Sequence, residues 1–133
     1  MSTETISAAA ATVQSRFLTR VIRLDAVASG ALGVLLLGAG WALDGPLGLS
    51  STLSAGAGAF LVLWSAALLM IGRRPAVRRT AVREIVAINL AWVVASLGAL
   101  FVLELTALGV GFVIVQAVAV GLFAELQLTG LRR

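Results

Sequence analysis

The sequence contains no cysteine, no histidine, no tyrosine and no lysine. Without Cys or His it can build no thiolate nucleophile, structural zinc site, iron–sulfur cluster, ordinary haem ligand or imidazole base. No disulfide can form either, so cysteine usage says nothing about compartment. Charge is scarce as well: 12% of residues are charged and 60% are apolar, against about 25% and 45–50% in ordinary soluble domains. A soluble fold of 133 residues needs many polar side chains to cover its large surface relative to its volume. Here the polar residues are confined to a few short stretches, so the missing polar coat must be lipid.

The chain reads as an all-α, polytopic integral membrane protein with four transmembrane helices. A first apolar run, Leu24 to Leu43, has the roughly 20 residues that cross a hydrocarbon core of about 30 Å, and Asp44-Gly45-Pro46 ends it with a turn. A second, Thr52 to Ile71, stops at Gly72-Arg73-Arg74-Pro75. From Ile85 to Leu128 the chain is almost continuously apolar, about twice what a bilayer accommodates as one helix. It must fold back, and Glu104 is the one charge near its midpoint. The reversal is expected at Glu104 to Ala107, giving third and fourth spans over 85–103 and 108–128. A cleaved signal peptide is a rival reading of the first run, which Arg16, Arg20 and Arg23 precede. The run is longer than a usual signal core, and three uncut spans would follow it.

Residues 1–22 form a hydrophilic N-terminal segment ahead of the membrane domain, residues 23–133. Within it Ile6, Ala10, Val13 and Phe17 recur at helical spacing, which leaves open an amphipathic helix on the membrane surface or a loosely ordered tail.

The net charge of +4 rests on arginine alone. In a soluble protein this would point to nucleic acid, but the arginines flank apolar runs and read as topology signals, so no nucleic-acid partner is expected. Arg16, Arg20 and Arg23 precede span 1; Arg73, Arg74, Arg78, Arg79 and Arg83 separate spans 2 and 3; Arg132 and Arg133 follow span 4. The other two connections carry Asp44 and Glu104 and no basic residue. All three basic clusters fall on one side, so both termini are expected in the cytoplasm, in a plasma membrane of bacterial inner-membrane type. Trp41 suits an interfacial anchor, whereas Trp64 and Trp92 lie deeper, where helices pack.

A shift of 59 residues aligns Asp25 with Glu84, Leu49 with Leu108 and Arg73-Arg74 with Arg132-Arg133, as two tandem helical hairpins would. The remaining identities are few and mostly apolar, so duplication stays an open alternative.

Polar groups inside a span suggest function when they lie deep. Asp25 and Glu84 fall near span edges beside Arg23 and Arg83, where a helix N-terminus favours a carboxylate. Asn89, Trp92 and Ser96 share one face of span 3, and Gln116 and Gln127 share one face of span 4. A hairpin folded about Leu105 sets Ser96 level with Gln116 and brings Asn89 within reach of Gln127 or the backbone. Glu125 extends a small-residue stripe, Ala117 and Gly121, and a second stripe on span 1 runs through Asp25, Ser29, Gly33 and Gly40. Span 1 is expected to dock on span 4 along these stripes, or they form a homodimer seam. Glu125 is expected to pair with Arg78, Arg79 or Arg83. The candidate intramembrane polar site is therefore Glu125, Asn89, Ser96 and Gln116.

No catalytic, cofactor or metal site is expected. An enzyme would have to run on carboxylates alone, and the two aspartates, Asp25 and Asp44, fall on opposite sides. In size the chain is similar to the small multidrug resistance transporters. Their carboxylate lies midway along the first span, whereas Asp25 falls at an edge and no acid follows before Asp44; the Gly-rich and Thr/Ser-Phe signatures of fluoride channels are missing. Two function classes remain. One is a structural or accessory subunit, embedded in the bilayer as a homodimer or in a larger membrane complex. The other is a small homo-oligomeric channel or proton- or cation-coupled transporter.

Overall fold

The computed structural model describes residues 12–13 and 15–132. The chain is an all-α bundle of four long helices: α1 (Arg16–Ala39), α3 (Ser51–Gly72), α4 (Arg79–Val102) and α5 (Ala107–Arg132), with a one-turn helix α2 (Asp44–Leu47) after α1. With the 3-10 turn Gly40–Ala42 counted into the first, the four are 27, 22, 24 and 26 residues long and apolar enough to cross a membrane. Large apolar side chains point outward along them, among them Val27, Leu63, Val94 and Val115, which water would not tolerate but acyl chains would.

The helices begin earlier than hydropathy suggests. Leu24 stands in the third turn of α1, because Ser15 caps the helix by accepting from the Leu18 amide at 3.2 Å. Arg16, Arg20 and Arg23 then lie exposed on its first turns. α4 likewise starts at Arg79, six residues before Ile85. A hydropathy average cuts off polar turns that the backbone continues through. Ahead of α1, Thr12–Val13 is extended, not helical: it forms a two-residue strand β1 antiparallel to β2 (Val77–Arg78), with Thr12 opposite Arg78 and Val13 opposite Val77. The helical repeat expected through Val13 therefore fails there; Ile6 and Ala10 lie outside the described residues.

The expected reversal is where the chain turns, over 103–106, between α4 and α5. It lacks Gly or Pro, and Thr106 supplies the stop instead. Its hydroxyl caps α5 by accepting from the Gly109 amide at 3.0 Å and donates to the Pro46 carbonyl at 2.7 Å, while its amide donates to Leu47 O at 3.2 Å. The two turns at this end are thus tied together. Gly48, at φ 77°, ends α2 and packs on the Glu104 carbonyl.

α1 packs most extensively on α3, and α4 on α5. The first pair approaches to backbone contact: a Cβ on Gly33 would lie 2.9 Å from Gly58 O, and one on Gly58 2.8 Å from Gly33 O. Ser65 donates to the Ala26 carbonyl at 2.6 Å across the same seam. Gly33 and Gly40 therefore serve the α1–α3 contact, not the expected contact with span 4. At the arginine end each returning helix is capped from within its own hairpin: Arg23 Nε donates to Gly72 O at 3.1 Å, and Arg79 Nη1 to Leu131 O at 3.0 Å. A cation there satisfies a terminal carbonyl and the helix dipole together.

The dense core also lies in this half, around Leu18, Ile22, Ala26, Leu68, Val82 and Ile85. The opposite half is looser. There α3 and α4 meet at the Phe60–Trp92 ring stack, with centroids 5.5 Å apart, and a cavity of about 590 Å³ opens beside it.

Candidate functional site: a buried carboxylate held by two amides

Helical repetition from Leu18 through Ile22 carries one stripe of α1 into the core, and Asp25 and Ser29 continue that stripe. Asp25 is 1% exposed, ten residues into the helix counting from Arg16. Its Oδ1 accepts from Ser29 Oγ at 3.1 Å; its Oδ2 accepts from Asn89 Nδ2 at 2.9 Å and from Gln127 Nε2 at 2.8 Å. Asn89 Nδ2 also donates to Gln127 Oε1 at 3.0 Å. Three helices, α1, α4 and α5, meet at one carboxylate, and all three of its donors are neutral.

This differs from the sequence expectation in one physical respect. Hydropathy places Asp25 at a span edge beside Arg23, but Arg23 turns away to the Gly72 carbonyl. With α1 begun at Arg16, Asp25 lies about 13 Å along the helix from its start, inside the packed half of the bundle. Glu84, in the second turn of α4, is exposed, so the aligned pair Asp25 and Glu84 occupies unlike environments.

A second polar tier lies nearer the middle of α4 and α5. Gln116 Nε2 donates to Ser96 Oγ and to Val113 O, each at 2.9 Å, and Gln116 Oε1 accepts from the Trp92 indole at 2.7 Å. The four candidate residues are thus divided. Ser96 and Gln116 share this tier, Asn89 belongs to the Asp25 tier, and Glu125 joins neither. Glu125 is exposed on the outer face of α5, beside exposed Leu122 and Leu126, and its backbone carbonyl accepts from Thr129. Span 1 does dock on span 4, but through Asp25 on Gln127 and Leu18 against Gly130. The Glu125 stripe is not the contact.

Sequence reasoning passed over Asp25 and gave Gln127 only a supporting place. The available signal was Ser15, a capping residue just ahead of Arg16, which starts the helix early enough to bring Asp25 onto the Leu18–Ile22 face. Among the described residues no three Asp or Glu side chains converge as a metal site would require. The arrangement is suited to fastening three helices, since every donor to the carboxylate comes from the chain itself. The chain matches no family model, no curated protein and no solved structure.

Proposed function

We propose that this chain is a structural or accessory subunit of a membrane assembly, working through its lipid-facing surface as a homo-oligomer or beside a larger partner. The observation that carries this reading is Glu125. It is exposed on the outer face of α5, seven residues before Arg132, so about 10 Å along the helix from its end. A carboxylate on an otherwise apolar face at that depth is costly in lipid unless another chain covers it. One turn away, a Cβ added at Gly121 would meet nothing within 4 Å, so a second helix can approach closely there. The arginine clusters, all at one end of the bundle, support a bacterial inner-membrane location with that end and both termini in the cytoplasm.

Since the natural chain has no cysteine, single-cysteine crosslinking in native membranes is a clean test. Gly121→Cys and Glu125→Cys are expected to give a dimer or a higher-mass adduct, and Leu63→Cys on exposed α3 is expected to give none. Crosslinking that is absent at all three positions, with a monomeric mass in nanodiscs, rejects the reading.

A second reading, proton- or cation-coupled transport, is favoured by Asp25: a buried acid whose partners are all neutral is a default candidate for ion handling in a membrane. Proteoliposome flux lost in Asp25→Asn and kept in Glu125→Gln would favour it over the accessory role.

A further inference from the structure

Five of the arginines share one pocket. Arg23 lies against Gly72, the last residue of α3, where its Nε donates to the carbonyl at 3.1 Å. That contact sets the start of α1 beside the end of α3 and gathers Arg16, Arg20 and Arg23 around Arg73 and Arg74. The pocket between them has a volume of about 720 Å³, and among the described residues no acidic side chain lines it. All five arginines are exposed, and with no carboxylate between them they repel one another. Ser15 and Arg16 in the wall add the positive end of the α1 dipole. Arginine forks match phosphate oxygens in geometry as well as charge, so the chemistry this pocket suits is a phosphate. Topology signalling needs arginines anywhere on one side of the membrane. It does not need them in one pocket, and Arg83 and Arg132, at the same end, do not line it.

The surface next to the pocket narrows the class of phosphate compound. Helical repetition puts Val27 and Val34 on the same face of α1 as Arg16, Arg20 and Arg23, and they are 65% and 64% exposed. On α3, Met70, one turn before Arg74, is 66% exposed. The cationic pocket thus continues into an apolar, outward-facing surface. A soluble phosphate would use the first and leave the second empty, whereas a phospholipid uses both.

We propose that this pocket binds the headgroup of an anionic phospholipid from the leaflet on the arginine side, its phosphate oxygens accepting from the guanidinium groups and its acyl chains lying along Val27, Val34 and Met70. Every residue in the site belongs to one copy, so it stands whether or not the chain acts as an accessory subunit.

Native mass spectrometry of the protein in detergent tests this. Diphosphatidylglycerol, with two phosphates per head, and phosphatidylglycerol are each expected to give a saturable adduct, and zwitterionic phosphatidylcholine is not. Arg20→Gln with Arg73→Gln is expected to weaken the adduct about tenfold or more, the worth of a hydrogen bond to a charged group. Arg16→Gln with Arg74→Gln gives the same reading should the first pair disturb the α1–α3 packing. Arg83→Gln with Arg132→Gln removes the same charge from the same end outside the pocket and is expected to change binding about twofold or less, because exposed charges at a distance are screened. Equal weakening by all three pairs means diffuse attraction and overturns the site, as does equal binding of phosphatidylcholine. Displacement of the lipid by inorganic phosphate at matching concentration overturns the lipid assignment in favour of a soluble anion.

Discussion

Gln127 donates to Asp25 across 2.8 Å, joining two helices whose residues are 102 positions apart. Asn89 closes the triangle by donating to both. The closure of the bundle at the arginine end is thus polar at its centre and apolar around it, with Ile22, Ala26 and Ala124 buried in the surrounding core.

Asp25→Ala is expected to destabilise the bundle by about 2–4 kcal/mol, because it strands three buried donors at about 1–3 kcal/mol apiece, reduced by the partners available in the membrane-unfolded state. Asp25→Asn retains an acceptor and is expected to cost about half as much. Denaturation by increasing mole fraction of SDS in mixed micelles measures both. If Asp25→Ala is as stable as wild type, the network does not fasten the helices.

Gly33 and Gly58 set the α1–α3 distance. Gly33→Leu or Gly58→Leu forces backbones apart that now meet through carbonyls, at a cost of about 3 kcal/mol or more. Gly111→Leu, with open space around its Cβ position, is expected to be neutral or better by up to about 1 kcal/mol from helix propensity. The same micelle denaturation ranks them, and equal effects at all three glycines would contradict the close-contact assignment.

Thr106→Val keeps the shape and removes both the α5 cap and the bond to the Pro46 carbonyl. A loss of about 1 kcal/mol is expected from the cap, and Thr106→Ser should recover most of it. Proteolysis of the 103–106 turn is expected to be faster in the valine variant; identical cleavage rates would show that the turn holds without the hydroxyl.

The arginine distribution makes an orientation prediction. Thr106→Cys is expected to react with a membrane-impermeant maleimide in intact cells, and Arg74→Cys only after the membrane is opened. The reverse pattern would invert the topology.

Four helices and their three connections could be read from the chain because hydrocarbon imposes a length: a run of about 44 apolar residues exceeds one span and has to reverse, and Glu104 marks the place. The levels of Ser96 and Gln116 followed from the same hairpin arithmetic, and they are hydrogen-bonded. Helix starts were less legible, since polar turns at Arg16 and Arg79 belong to the helices although they depress the local hydropathy.

What the sequence determined by itself was the solvent, the number of spans and the side on which the arginines gather, because composition and run length answer to the bilayer alone. Which carboxylate goes inside was decided by tertiary structure. Asp25 and Glu125 are both single acids within a turn or two of arginines, and although the Ser15 cap sets Asp25 on the Leu18–Ile22 face, nothing local says which residues meet that face. Asp25 is buried because its face of α1 meets Asn89 and Gln127 on two other helices, and Glu125 is left outside because the same rotation of α5 that delivers Gln127 to Asp25 turns its near neighbour outward.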